Sequence, residues 1–167
     1  MGKRSAAVLL FSLGSVFAVA AMASPPAANT PEHVLLVPAS IKWMPAPPVL
    51  PKGIQLAVLR GNPSAKGPCI VRLKIPPHTV IAPHWHPTEE SFSVLSGEVF
   101  VGMGDKVDKA SAKALPVMGF ASMPATHHHY VYTESKGAVI DLSFYGPFQI
   151  HYVNAADDPS RRSMPSH

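Results

Sequence analysis

The stretch that decides the fold of this 167-residue chain runs Pro83-His84-Trp85-His86-Pro87-Thr88-Glu89-Glu90. In an extended chain, residues two apart point to the same side, so His84 and His86 face one way while Trp85 faces the other. Glu90 has the same parity, and a turn at Pro87 would bring its carboxylate to the two imidazoles. The stretch therefore predicts two extended segments that direct two histidines and a glutamate at one site.

A second group of histidines, His127-His128-His129, follows Pro124 and leads into an apolar segment. His127 and His129 share one face, and a third histidine from this later strand completes a set of nitrogen and oxygen ligands that suits divalent transition metals. We therefore predict that His84, His86, Glu90 and one of these two histidines bind one divalent metal, which is Mn, Fe, Ni, Cu or Zn. Two alternatives stay open, since His127 could replace His129 and Glu89 could replace Glu90.

Short apolar segments separated by Gly and Pro follow one another from residue 54 onward, and 19 prolines in the chain disfavour long helices. The predicted strands are Ile54–Leu59, Cys69–Ile75, Ser91–Leu95, Glu98–Met103, Phe120–Met123, His129–Thr133, Ala138–Phe144 and Phe148–Val153. Strands of this length and spacing indicate an all-β antiparallel sandwich or barrel, which we place at residues 52–156. Only Val107–Ala114 could form a short helix. Cys69, the single cysteine, lies in a predicted strand and is expected to be buried.

The two ends of the chain differ from this domain. Lys3 and Arg4 precede an uncharged apolar segment that ends in Ala21-Met22-Ala23, so residues 1–23 are predicted to be a signal peptide cleaved near Ala23. A retained transmembrane anchor is the alternative. Residues 24–51 contain eight prolines and form a Pro-rich arm, part of which should pack through Trp43. Residues 157–167 are predicted to be a flexible tail.

Export places the mature protein in the periplasm or outside the cell. Removal of residues 1–23 lowers the formal net charge from +4 to +2, so the chain is only weakly basic. No basic stripe with interleaved aromatic residues is present, which excludes nucleic acid as a predicted partner. No membrane association is expected after cleavage.

The site residues also resemble a known family. His84, His86, Glu90 and Gly97 have the spacing of the first cupin motif, and Pro124 with His129 resembles the second. This resemblance covers roughly residues 54–153. It implies a jelly-roll barrel, also called a double-stranded β-helix, with the metal bound inside by three histidines and one glutamate, which are His84, His86, His129 and Glu90. Non-glycine residues, His78 and Thr126, stand where these motifs usually have glycine.

A cupin-like site supports several functions, and the fold does not choose among them. Phe92 and Val94 share the inward parity of Glu90, so we expect them, with the neighbouring His127, to line a pocket for a small apolar or aromatic molecule that carries oxygen. Dioxygenase chemistry and lyase or isomerase chemistry are both compatible with such a site, and no further catalytic residue is identified. The alternative is a periplasmic protein that binds a metal or a small molecule without turnover. Small cupins are often dimers, so the resemblance also implies a homodimer, which the sequence permits.

Overall fold

The computed structural model describes residues 33–162. The predicted signal peptide at residues 1–23, the first part of the arm at residues 24–32 and the end of the tail at residues 163–167 lie outside the described residues. The strands are β1 Met44–Pro45, β2 Gln55–Arg60, β3 Gly67–Ile75, β4 Val80–Trp85, β5 Glu90–Met103, β6 Lys113–Pro116, β7 Phe120–Met123, β8 His129–Tyr132, β9 Ala138–Gly146 and β10 His151–Tyr152. Short 3-10 turns span Pro38–Ser40 and Ala155–Asp157, and the one-turn helix α1 spans Pro159–Arg162.

The strands form two antiparallel sheets that share β5, whose first half belongs to one sheet and whose second half belongs to the other. In the first sheet the order is β7-β5-β9-β3-β2-β1, and in the second it is β6-β5-β8-β4-β10. Side chains along β3 and β9 alternate between buried and more exposed positions. This alternation places one apolar face of each sheet in a common core. The all-β jelly-roll prediction is confirmed.

Strand β5 combines two predicted strands, Ser91–Leu95 and Glu98–Met103, into one of 14 residues. A register shift between Val94 and Ser96 marks a bulge in the ladder to β9. Gly97 follows with a φ of 73°, a left-handed conformation that glycine adopts without a steric penalty. The strand therefore bends from one sheet into the other without breaking its hydrogen-bonded ladders.

The prediction that Val107–Ala114 could form a short helix is wrong, because this segment forms turns that lead into β6. Asp108 explains the difference: its carboxylate accepts a hydrogen bond from the Ala110 backbone N–H at 3.0 Å, a local bond that competes with helix formation. The Asp108 carbonyl also accepts a hydrogen bond from the Tyr130 hydroxyl at 2.6 Å. The loop is thus fixed over β8 rather than wound into a helix.

Besides the two-residue β1 of the arm, two strands were not predicted from the sequence, and one predicted strand was too long. Strand β4 carries His84, and β6 pairs with the second half of β5. The predicted strand Phe148–Val153 reduces to the two residues of β10. Proline in β4 and at the end of β6 obscured the first two patterns, since proline lowers the expectation of a strand.

The described part of the Pro-rich arm packs on the sheet next to it. Strand β1 pairs with β2, Leu50 is buried, and the Lys74 ammonium lies 4.5 Å from the centre of the Trp43 ring. Cys69 is buried as well, in β3. Within residues 33–162 no helix has the length and apolar character needed to cross a membrane.

Candidate metal centre

Three strands bring the four predicted ligands together. His84 lies near the end of β4, His86 follows that strand, and Glu90 and His129 are the first residues of β5 and β8. All four side chains are buried, and one potential ligand atom from each lies within 4.8 Å of the others. His84 and His129 are register partners across β4 and β8. The bend at Pro87 returns the chain so that Glu90 joins the same cluster.

Backbone carbonyl groups fix the orientation of the three imidazoles. The Nδ1 atom of His84 lies 2.7 Å from the Ala82 carbonyl oxygen, that of His86 lies 2.6 Å from the Gln149 carbonyl oxygen, and that of His129 lies 3.0 Å from the His127 carbonyl oxygen. A neutral imidazole that donates from Nδ1 keeps a lone pair on Nε2. These carbonyls therefore select the tautomer that leaves Nε2 free to bind a metal.

The electrostatic environment keeps two of the imidazoles neutral. Burial lowers the pKa of His84 well below its usual value, and the nearby His129 and His86 lower it further. Burial also lowers the pKa of His86, although the Glu90 carboxylate opposes this effect. Because only the neutral ring can bind a metal, these shifts favour the ligand form near neutral pH.

Glu90 lies between two of the ring nitrogens. One carboxylate oxygen, Oε1, is 3.1 Å from His129 Nε2, and the other, Oε2, is 3.1 Å from His86 Nε2. A neutral His129 ring that donates from Nδ1 has no hydrogen on Nε2, so Nε2 and the Glu90 oxygen face each other as two electron-pair donors, and His86 Nε2 is buried without a hydrogen-bond partner within residues 33–162. A buried, unpartnered nitrogen beside a carboxylate is what a metal ligand set requires. The group fits one divalent transition metal.

Neither alternative ligand belongs to the cluster. Glu89 is exposed, and its carboxylate accepts a hydrogen bond from the Ser122 hydroxyl at 3.0 Å. His127 is also exposed and contacts the site only through its backbone carbonyl. His128, the middle histidine, lies 2.6 Å from Asp105 through Nδ1 and Oδ1 at the surface.

A cavity of about 490 Å³ opens from this cluster into the barrel. Apart from His84, His86, Glu90 and Ser64, its lining side chains are apolar. The other lining residues are Met44, Pro45, Pro47, Val49, Leu50, Leu56, Val58, Pro63, Val71, Leu73, Ile81, Phe92, Val131, Ile140, Leu142, Phe144, Phe148 and Ile150. Of the predicted pocket residues, Phe92 lines this cavity, whereas Val94 and His127 are not among the lining residues.

The sequence analysis missed the part that the arm plays in this site. Met44, Pro47 and Leu50 line the cavity, although they precede the predicted barrel. It also missed Tyr152, whose ring centroid is 6.0 Å from that of His84 and whose hydroxyl donates a hydrogen bond to the Val49 carbonyl at 2.7 Å. The apolar and aromatic residues of the arm were the available signal, but they do not specify which surface the arm covers.

Several solved structures resemble the fold of this chain. The polyketide cyclase RemF from Streptomyces resistomycificus matches with a TM-score of 0.62 and 16% identity, over 80% of this chain and 95% of RemF. A proposed acetylacetone dioxygenase from Methylibium petroleiphilum PM1 matches with a TM-score of 0.61 and 17% identity, over 79% of this chain and 88% of the dioxygenase chain. An RmlC-like cupin from Shewanella frigidimarina matches with a TM-score of 0.54 and 18% identity, over 71% of this chain and 94% of that cupin. No protein-family model and no curated protein sequence matches the chain.

The chain therefore has the cupin fold, as the motif resemblance implied. The match in shape extends over most of each of these neighbours, while the identity is low enough that it defines the fold alone. The buried group of His84, His86, Glu90 and His129 lies where the two sheets face each other, and it could hold a metal.

Proposed function

We propose that this protein is exported, binds one divalent transition metal through His84, His86, Glu90 and His129, and acts on a small apolar or aromatic molecule that carries oxygen. One observation carries this proposal: polar side chains in the cavity are concentrated at the end where the three imidazoles meet the carboxylate. When bound, the ion would supply Lewis-acid or redox chemistry. The barrel supplies an otherwise apolar environment.

The side chains around the cluster have separable tasks. The Nδ1 contacts to backbone carbonyls hold the rings in place, and Glu90 contributes the negative charge. Phe92, Leu142 and Phe144 are buried, so they exclude water from the inner end of the cavity. None of the residues that line the cavity is Arg or Lys, so away from the metal-site residues the lining offers no counter-charge to a charged group of a substrate.

A second candidate function is binding without turnover. It is favoured by the composition of the lining, because Ser64 is the only lining residue outside the predicted ligand set that has a hydroxyl, amide or ionisable side chain. No separate side chain is therefore placed to act as a general acid or base. Catalysis would have to proceed through the metal and its ligands, whereas a binder needs no more than the cavity provides.

Turnover of a substrate panel separates the two candidates. Metal-loaded protein would be incubated with diketones, catechols and flavonoids while oxygen uptake and product formation are followed. Diketones are included because one neighbour is described as a proposed acetylacetone dioxygenase, a likeness of fold only. The same panel with His129→Ala is the control. Product that depends on His129 supports an enzyme, and tight binding without product supports the binder.

Export needs its own measurement. The native protein would be recovered from separated cell compartments and its N-terminus determined by mass spectrometry. A mature chain that begins at Ser24 in the periplasmic or external fraction is the expected result. A chain that retains residues 1–23 in the membrane fraction would contradict export with cleavage and favour the anchor.

A further inference from the structure

The cavity extends from the metal-site residues to an apolar mouth. At the inner end, Phe92 and Glu90 are only 2% and 6% exposed, whereas at the other end Met44 and Val58 are 48% and 37% exposed. Met44 is the register partner of Leu56, and Val58 lies two residues further along the same strand. Side chains two apart point to the same face, so Met44, Leu56 and Val58 all point to one side of the opening.

One wall between these two ends comes from the Pro-rich arm. The arm residues in the lining are Met44, Pro45, Pro47, Val49 and Leu50. Their backbone is held in place, because the Ala46 N–H donates to the Ile54 carbonyl at 3.0 Å and the Leu50 N–H donates to the Pro47 carbonyl at 2.9 Å. The wall is therefore an ordered surface of the site.

Tyr152 connects this wall to the metal-site strand. Its hydroxyl donates to the Val49 carbonyl at 2.7 Å, and its backbone is the register partner of His84 across β10 and β4. Tyr152 thus contacts the arm through its hydroxyl, and its ring lies beside the predicted ligand His84. Removing the hydroxyl alone would loosen the wall while leaving the aromatic ring beside His84.

We propose that residues 44–50 are the specificity element of this site, with Met44 setting how long a substrate the cavity accepts and Tyr152 as a positioning residue for the wall. The substrate is then a molecule whose oxygen-bearing head lies at the metal-site residues and whose uncharged, apolar tail follows the arm to the mouth. This inference deepens the function proposed above and rests on it. The apolar wall and the lack of Arg or Lys in the lining carry the assignment of an uncharged tail.

A homologous series of ligands tests the wall directly. Binding of 4-alkylcatechols from methyl to decyl would be measured by calorimetry with the metal-loaded protein. Each methylene buried against the wall should raise affinity about fourfold, the equivalent of ~0.8 kcal/mol, until the tail reaches the mouth and the gain ends. Met44→Trp should end the gain at a shorter chain. Met118→Trp is the matched control, because Met118 is 90% exposed and does not line the cavity.

Two further variants keep the test decisive. Met44→Ala removes the contact between residue 44 and the alkyl tail without adding bulk, so it should weaken the binding of only the long-chain alkylcatechols. Tyr152→Phe should weaken the long-chain members about 2- to 10-fold, as expected for loss of one hydrogen bond, and leave the methyl member unchanged. A purely structural role would instead shift the melting temperature and affect every member equally.

The two proposals fail differently. The same chain-length limit in wild type and Met44→Trp would overturn the role of the arm, as would absence of binding by every member. Matched alkylbenzenes, which lack the two hydroxyls, separate the head from the tail. If catechols bind no more tightly than alkylbenzenes to the metal-loaded protein, the proposed oxygen-ligand chemistry is wrong, while the chain-length limit with alkylbenzenes still decides the role of the arm.

Discussion

His84 and His129 are register partners on adjacent antiparallel strands, and their ring centroids are 4.2 Å apart in the interior of the barrel. Two protonated imidazoles at that distance would repel each other in a medium of low polarity. Burial and the neighbouring histidines lower the pKa of His84, so this ring presents a neutral nitrogen. Without an ion, these buried lone pairs cost free energy in the folded chain. With a bound cation, the same lone pairs would stabilise it.

Replacement of a ligand histidine should abolish tight metal binding. We expect His84→Ala to lower the affinity for a divalent transition metal by more than the ~10- to 100-fold that is typical when an outer-shell partner is lost. Chelator competition and elemental analysis would measure the change. His128→Ala is the control, because His128 contacts Asp105 at the surface instead. Equal metal content in His84→Ala and wild type would show that the metal site is elsewhere.

The carboxylate should matter because it supplies the only negative charge in the cluster. Metal that binds the folded chain stabilises it by about 2.7 kcal/mol when the free ion is present at 100 times Kd. Glu90→Gln should reduce this metal-induced stabilisation, while Glu89→Gln should leave it unchanged because Glu89 is exposed and contacts Ser122. Unfolding monitored with and without chelator gives the comparison. Loss of the effect in Glu89→Gln alone would favour the alternative ligand.

The fold and the central cluster followed from local spacing. The two-residue interval between His84 and His86 defines a shared face in any extended chain, and the bend at Pro87 needs only a short loop to return Glu90 to it. Alternating burial in β3 and β9 follows the same rule. Such features depend on residues close together in sequence, so they are readable without the structure.

The remaining parts depend on contacts between distant segments. Val49 and Tyr152 are 103 residues apart, and nothing in either local pattern specifies their hydrogen bond. The same applies to Met44 in the lining of the cavity. The helix prediction at Val107–Ala114 was wrong for a related reason, since the Tyr130 hydroxyl from a distant strand donates a hydrogen bond to the Asp108 carbonyl and fixes the loop.

Close packing at the bend of β5 makes Gly97 sensitive to substitution. A Cβ atom at this position would lie 1.8 Å from the Gly137 carbonyl oxygen, and the φ of 73° is unfavourable for other residues. We expect Gly97→Ala to lower the free energy of unfolding by more than about 3 kcal/mol, since backbone must move in addition to the conformational strain. Denaturant unfolding would measure it.

Gly104 is the matched control for this substitution. Its φ of 106° is also positive, but a Cβ there would meet no atom within 4 Å. Gly104→Ala should therefore show the conformational cost alone, about 1–2 kcal/mol. Equal costs at the two positions would mean that the contact between Gly97 and Gly137 does not limit the structure.

Burial of the Tyr152 hydroxyl should produce a pH dependence on the alkaline side. Burial raises the pKa of the Tyr152 hydroxyl, and the nearby Asp158 and Asp157 raise it further. The unfolded chain therefore loses this proton near pH 10 while the folded chain keeps it. The stabilisation is complete below pH 10 and decreases as the pH rises above that value.

Tyr152→Phe has no such proton, so its free energy of unfolding should fall less steeply above pH 10 than that of the wild type. The difference in slope is at most about 1.4 kcal/mol per pH unit, and smaller here because the ring is only partly buried. Tyr132, whose pKa is also raised by burial, is present in both proteins and cancels in the comparison. Urea unfolding between pH 7 and 11 would test this, with a constant difference below pH 9 as the internal control. Parallel curves above pH 10 would show that the Tyr152 hydroxyl is not buried in solution as the structure has it.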